Sequence, residues 1–80
     1  MMETKIKNEI LALCKKLGFK KDSDYELIAV KGENGYLLDT RDFSFSITDG
    51  IYNFNTIINA SCENNGFKKL LNLIKILFNE

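Results

Sequence analysis

Residues 43–55 alternate between large apolar and small polar side chains, and this pattern constrains the fold more than any other part of the sequence. The large side chains are Phe43, Phe45, Ile47, Tyr52 and Phe54, and the small polar ones are Ser44, Ser46, Thr48, Asn53 and Asn55. Alternation with a period of two is typical of strands with one buried face. Asp49-Gly50 lies between the two halves and predicts a two-residue type I′ turn.

The position of this turn also predicts the register of the hairpin. If Thr48 pairs with Ile51, then Phe45 lies opposite Phe54, and the large side chains share one face with the exception of Ile51. A shift by one residue would move every large side chain to the other face, so the register should be strongly specified. We therefore expect one dry aromatic face and one face of small polar residues. The small polar face is a weaker candidate for binding a partner than apolar residues that the core does not use.

Two earlier segments, residues 25–30 and 36–40, also predict strands because they are rich in β-branched and aromatic residues. The intervening Gly32-Glu33-Asn34-Gly35 is typical of a hairpin turn. Leu38 and Phe43 both suit the core although their parity differs, so residues 39–42 should hold a turn or a bulge. The simplest arrangement is an antiparallel meander of three to four strands.

An amphipathic helix is predicted on each side of these strands, over residues 3–17 and about 65–78. The first apolar stripe consists of Ile6, Ile10, Leu13, Cys14 and Leu17, and the second of Phe67, Leu70, Leu71, Ile74, Leu77 and Phe78. The order helix, strands, helix predicts an α+β fold whose helices pack on one sheet face. The length of 80 residues predicts a single domain over residues 1–80.

The chain lacks most of the side chains on which catalysis depends. It contains no histidine, the commonest general base and a frequent metal ligand. Asp22, Asp24 and Glu26 have the spacing of calcium ligands, but Leu27 occupies the position where the calcium loop needs glycine. We therefore predict that the protein is not an enzyme and carries no metal or cofactor.

Cysteine content predicts a cytoplasmic protein. The chain has two cysteines, Cys14 and Cys62, whereas small secreted domains usually carry more. We see no secretory leader and no apolar segment long enough to span a membrane, so no membrane association is expected. Cys14 lies on the first apolar stripe and should be a core residue, and a disulfide with Cys62 depends on geometry that the sequence does not provide.

Apolar residues outside the two core stripes form the candidate interface. In the predicted strands they are Leu27, Ala29 and Leu37, which we expect to share the sheet face that the helices leave uncovered. In the helices they are Leu73 and Ile76 of the last and Leu11 of the first. Strands buried on both faces, or helices packed between neighbours, would absorb the same residues. We predict that at least one of these patches contacts a protein, either a foreign partner or a second copy in a homodimer.

A basic cluster provides the alternative, which is contact with nucleic acid phosphates. It comprises Lys15, Lys16, Lys20 and Lys21, and lysines at the end of a helix also complement its dipole. Tyr25, Tyr36 and Tyr52 could stack on bases, although packing is the commoner use of tyrosine. Eleven basic and eleven acidic residues cancel, and Arg41 is the sole arginine, so nucleic acid is not favoured.

These observations predict a small non-enzymatic protein-binding module. The abundance of Lys, Ile and Asn and the absence of Pro and Trp are typical of low-GC bacteria and their phages. Our specific hypothesis is a phage or mobile-element inhibitor, of the anti-defence or anti-CRISPR type, that occludes a host protein. The alternatives are a nucleic-acid-binding or regulatory domain that uses the lysine cluster and, third, a sensor of a small molecule or metal ion.

Overall fold

An N-terminal helix, a five-stranded antiparallel sheet and a C-terminal helix make up the protein in the computed structural model, which describes residues 2–49 and 53–79. The elements are α1 (Met2–Lys16), β1 (Lys20–Ser23), β2 (Glu26–Lys31), β3 (Asn34–Asp39), β4 (Ser44–Asp49), β5 (Asn53–Asn59), a short 3₁₀ helix (Ala60–Cys62) and α2 (Gly66–Leu77). The strands follow one another across the sheet in chain order. The predicted α+β class is confirmed, with one strand more than the three to four expected.

The additional strand is β1, whose four side chains are all exposed. It pairs with β2 through Lys20 opposite Ile28 and Lys21 opposite Leu27. Because the sequence Lys-Lys-Asp-Ser has no apolar alternation, residues 20–24 have the composition of a polar connector and do not predict a strand. This edge strand is held by backbone pairing, which leaves no trace in hydropathy.

The β4–β5 hairpin has a different register from the predicted one. Thr48 pairs with Phe54 and Ser46 with Thr56, while Asp49 pairs with Asn53 inside the ladder. The predicted two-residue turn at Asp49-Gly50 is therefore wrong. Residues 50–52 connect the two strands, and they, including Tyr52, lie outside the described residues.

The true register is shifted by three residues, and an odd shift exchanges the two faces of a strand. Phe54 consequently lies on the face of Ser46 and Thr48 and is 43% exposed, so the prediction that it shares the dry face is wrong. Ile58 takes its place opposite Phe45 and is buried. A bulge between the Phe45 and Ser46 pairs makes Ile57 the extra residue and allows Ile58 to face the core.

Both helices cover one face of the sheet, as predicted. The sheet contributes Ala29, Tyr36, Leu38, Phe45 and Ile58 to the core, and the helices contribute Ile10, Cys14, Leu70, Leu71 and Ile74. The helices run in the same direction, since Lys7 lies 5.0 Å from the centre of the Phe67 ring near their first turns and Phe19 contacts Phe78 beyond their last turns.

The end of α2 is fixed to the β2–β3 hairpin. Lys31 Nζ donates a hydrogen bond of 2.8 Å to the carbonyl oxygen of Leu77 and lies 5.4 Å from the centre of the Phe78 ring. The Phe78 ring in turn packs 4.9 Å from Tyr36. A cation at the C-terminal end of a helix satisfies unpaired carbonyls and complements the helix dipole.

The turn between β3 and β4 changes the parity of the chain, which confirms the bend predicted at residues 39–42. Phe43 adopts a left-handed conformation, with φ of 54°, and its buried ring packs edge-on against Phe67 at 5.6 Å. The carbonyl oxygen of Phe43 accepts a hydrogen bond from the amide of Ala60. Burial of the ring and this backbone bond together offset the cost of the conformation, which is rare outside glycine.

Gly66 permits α2 to begin directly against the 3₁₀ helix. A β-carbon at this position would overlap the carbonyl group of Ala60, a backbone atom that cannot rotate away. We predict that Gly66→Ala lowers the free energy of unfolding by roughly 1–3 kcal/mol, as overpacking does, despite the better helix propensity of alanine. Urea denaturation would measure this, with Asn72→Ala at an exposed position of α2 as the control. Equal stability of the two variants would contradict the close approach.

Candidate protein-binding face

The sheet has a second face, opposite the helices, which we call the open face. Its central residues are Ile28, Val30, Leu37, Ser46, Thr48, Phe54 and Thr56. It consists of two cross-strand rows. In the first row, Ile28 pairs with Leu37, Leu37 with Ser46, and Ser46 with Thr56. The second row begins at Val30 opposite Gly35 and ends at Thr48 opposite Phe54.

Apolar side chains are concentrated at both ends of the second row and in the middle of the sheet. Val30 is 75% exposed and Phe54 is 43% exposed. Ile28 and Leu37 lie side by side on adjacent strands, each half-buried and outside the core cluster. Exposed apolar side chains that adjoin on one surface are typical of interaction sites.

The surface between Val30 and Phe54 is lined by small side chains, and their polar groups already form hydrogen bonds within the protein. Thr48 Oγ1 accepts a hydrogen bond of 2.7 Å from the Gly35 amide, and its methyl carbon lies 3.1 Å from the position that a β-carbon at residue 35 would take. Ser46 is only 5% exposed, and its hydroxyl lies 3.3 Å from that of Thr56. The open face thus has a shallow floor of small residues with larger apolar side chains on either side.

An ion pair marks one rim of the open face. The Asp39 carboxylate accepts hydrogen bonds from Arg41 Nη2 at 2.8 Å and Nε at 3.1 Å, and from the Arg41 amide at 2.9 Å. The guanidinium also lies 5.1 Å from the centre of the Tyr25 ring. These hydrogen bonds from the Arg41 side chain hold the pKa of Asp39 below its usual range.

The neighbouring carboxylate, Asp42, supports the end of the sheet. Asp42 accepts hydrogen bonds from the Ser44 amide at 3.0 Å and from Asn59 Nδ2 at 3.1 Å. Ser61 donates to the oxygen of the same Asn59 side chain at 2.9 Å. Within residues 2–49 and 53–79, no group of three or more acidic, cysteine or histidine side chains is arranged to hold a metal ion.

A cleft of about 350 Å³ lies between the first turns of α1 and α2, lined among others by Ile6, Phe67 and Ala60. Its two carboxylates form surface ion pairs, Glu3 with Lys7 at 3.5 Å and Glu63 with Lys69 at 3.4 Å. Both carboxylates of the cleft therefore lie beside a lysine.

The structure divides the candidate interface predicted from sequence. Leu37 lies on the open face, and Ile76 is 73% exposed on the outer side of α2. The expectation that Leu27 and Ala29 share a face with Leu37 is wrong, because Leu27 pairs with Leu38 on the helix-covered face. Ala29 is buried there, and Leu11, Leu73 and Leu27 are half-buried against the core.

Sequence reasoning missed Ile28, Val30 and Phe54. The first two follow from the β2–β3 hairpin, whose two-residue turn at Gly32-Glu33 pairs Lys31 with Asn34. That pairing fixes which residues of β2 share a face with Leu38, so counting back from the turn would have identified them. Phe54 could not be found in this way, because the turn signal at Asp49-Gly50 indicated the wrong register.

The four lysines of the basic cluster do not share one surface. Lys15 and Lys16 are exposed at the end of α1, while Lys20 and Lys21 lie on β1. Lys20 is opposite Ile28 on the open-face side, and Lys21 is opposite Leu27 on the other. Of the tyrosines considered for base stacking, Tyr36 is buried and Tyr25 lies beneath Arg41, so the described tyrosines form no common platform.

Comparison with protein-family models, with curated proteins and with solved structures finds no match to this chain. In the part of the chain that the structure describes, no helix has the length and apolar content needed to cross a membrane. The geometry of the open face is therefore the basis on which we infer a function.

Cys14 and Cys62 are free cysteines in different environments. Cys14 is completely buried between the helices and the sheet, as its place on the apolar stripe predicted, and burial raises the pKa of its thiol to about 12. Cys62 is exposed in the 3₁₀ helix. The thiolate is the reactive form of cysteine, so only Cys62 is available for modification in the folded protein.

We predict that a thiol reagent at pH 8 modifies one cysteine of the native protein rapidly and the second only in denaturant. Cys62→Ser should abolish the rapid reaction.

The raised pKa of Cys14 predicts that stability depends on pH in the alkaline range. A group that holds its proton more tightly in the folded state contributes to the free energy of unfolding at low pH, and this contribution is lost as pH rises. Stability should therefore decline above about pH 9, and a Cys14→Ala variant whose alkaline decline matches the wild type would contradict this.

The lowered pKa of Asp39 predicts the opposite pH dependence. Its contribution is present above the ordinary value of 3.8 and is lost as pH falls through the lower value of the folded state. Asp39→Asn should therefore be less stable than the wild type at pH 7, and the difference should shrink as pH falls below the ordinary value of 3.8. Thermal melting across this range would measure it, and a difference that is constant with pH would show that Asp39 carries no such linkage.

Proposed function

We propose that this protein acts by binding another protein through the open face, without catalysis. The observation that carries the proposal is the group of uncovered apolar side chains Ile28, Val30, Leu37 and Phe54 around a floor whose polar atoms are bonded internally. Covering a Val or Phe side chain contributes roughly 1.5–3 kcal/mol when burial is complete. A partner that covers the open face would gain part of this for each exposed side chain.

The shape of the open face favours a macromolecular partner. Small-molecule sites are usually concave and enclose most of the ligand surface, whereas this face is a sheet with a shallow floor. Protein interfaces typically combine an apolar centre with a polar rim. The rim here is supplied by the Asp39–Arg41 ion pair, which lies beyond Leu37 along β3, and by Lys20, which lies beside Ile28 on β1.

In its narrower form, the proposal is an inhibitor of the phage or mobile-element type, anti-defence or anti-CRISPR, that acts in the host cytoplasm. A small domain that covers a functional surface of a host protein can inhibit it by occlusion alone, with no chemistry of its own. Support for this narrower form comes from the residue usage and the absence of histidine.

Val30 and Ile76 provide a matched test of which surface binds. Both are exposed aliphatic residues, at 75% and 73%, but Val30 lies on the open face and Ile76 on the outer side of α2. We predict that Val30→Glu reduces capture of a partner from the native host by at least about tenfold, equivalent to 1.4 kcal/mol. Ile76→Glu should leave capture unchanged, and both variants should melt within a few degrees of the wild type because surface substitutions rarely change stability.

Capture by tagged wild-type protein, followed by mass spectrometry and titration of the captured protein, would measure these effects. Loss of capture with Ile76→Glu but not with Val30→Glu would contradict binding at the open face. Capture of nucleic acid in place of protein, with affinity that falls steeply as salt rises, would instead support the nucleic-acid alternative.

A further inference from the structure

The two edges of the sheet differ in how they are protected against pairing. One edge is β1, four residues long, with charged side chains at Lys20, Lys21 and Asp22. The other edge is β5, seven residues long, with the sequence Asn-Phe-Asn-Thr-Ile-Ile-Asn. Natural proteins usually protect an edge strand with charges, proline, shortness or a covering element, because its outer backbone groups are free to pair.

The β5 edge carries none of the first three protections, and its first part is also uncovered. Residues 53–57 are exposed without exception, and Ile57 and Phe54 are 50% and 43% exposed. In the described sheet β5 pairs with β4 alone, so its outer side has no strand beside it. A long uncharged edge rich in β-branched and aromatic residues is a favourable template for another strand.

We propose that β5 pairs antiparallel with β5 of a second copy of this chain and so joins two sheets into one of ten strands. This goes beyond the proposed function, because it uses the outer backbone of β5 and not the open face. A two-fold axis perpendicular to the sheet generates the pairing, and such self-complementary interfaces are the commonest in homo-oligomers. The strand suits itself as a partner because it has no charged side chain to repel its own copy.

The bulge limits regular pairing to the first part of β5, and within that part we propose one register. Regular alternation of faces in β5 is interrupted by the extra residue Ile57. Residues of the two copies that lie on the same face can therefore be paired only across the part of the strand before the bulge. Pairing centred on Asn55 places Asn55 opposite its own copy on the axis and Phe54 opposite Thr56 of the other chain. Each Phe54 then gains a β-branched neighbour on the open face, a favourable cross-strand pair.

This dimer has a defined consequence for the open face. Because the axis is perpendicular to the sheet, the open faces of both copies lie on the same side and adjoin through the two Phe54 and Thr56 pairs. The contact is smaller than a standard interface, so the association should be weak and dependent on concentration. A linked pair of faces would bind a repeated or two-fold symmetric partner more tightly than one face does.

Charge substitution at Asn55 tests the pairing and its register together. Sedimentation equilibrium of the wild type should show mass rising with concentration from 9.2 kDa toward twice that value. Asn55→Lys and Asn55→Asp should each raise the dissociation constant roughly tenfold, since each places like charges opposite one another. An equimolar mixture of the two variants should restore association, because opposite charges then meet at the axis.

Val30→Glu is the control that separates this proposal from the proposed function. It should reduce partner capture by at least about tenfold and leave the dimer unchanged. The Asn55 variants should weaken the dimer and leave binding by a single open face unchanged. Circular dichroism would confirm that all variants fold. A wild type that stays at 9.2 kDa up to millimolar concentration would overturn the proposal. So would a dimer that the Asn55 variants do not weaken, or one that the mixture does not restore.

Discussion

Leu27, Leu38, Phe45 and Ile58 form one cross-strand row under the helices, and the rest of the structure depends on its burial. Leu38 and Phe45, at its centre, are completely inaccessible to solvent. Once these two side chains face the core, the pleat assigns every other residue of β2, β3 and β4 to a face. Ile28, Val30 and Leu37 face away from the helices as a direct consequence, since their neighbours in sequence face the core.

The same row explains where sequence reasoning succeeded and where it failed. Both helices were predicted to within about a turn, because a stripe of apolar residues at helical spacing needs no knowledge of distant partners. The predicted β4–β5 register was wrong, because it relied on the local turn signal at Asp49-Gly50. Which residue of β5 is buried against the helices depends on tertiary contacts that the sequence does not show. Burying Ile58 opposite Phe45 and adding a bulge at Ile57 outweighs the preference of Asp49-Gly50 for a tight turn.

For the candidate site, apolar side chains were anticipated, but of the three strand residues predicted only Leu37 lies on the open face. That β2 is apolar on both sides was visible in Leu27, Ile28, Ala29 and Val30, yet choosing its outer side required the register to β3. Leu37 was assigned to the outer side correctly because Leu38 had been placed in the core. The edge strand β1 could not be predicted at all, since its pairing is made by the backbone and its side chains are solvated.

The internal bonding of the floor between Val30 and Phe54 affects the energetics of any contact made there. Removing water from a polar group costs free energy unless that group keeps a hydrogen bond. Thr48 already bonds the amide of Gly35, and the hydroxyls of Ser46 and Thr56 already bond each other. A wholly apolar surface can therefore dehydrate the middle of the sheet at a lower cost than it could dehydrate a floor of unbonded polar groups. Recognition there depends on shape complementarity more than on matched polar groups.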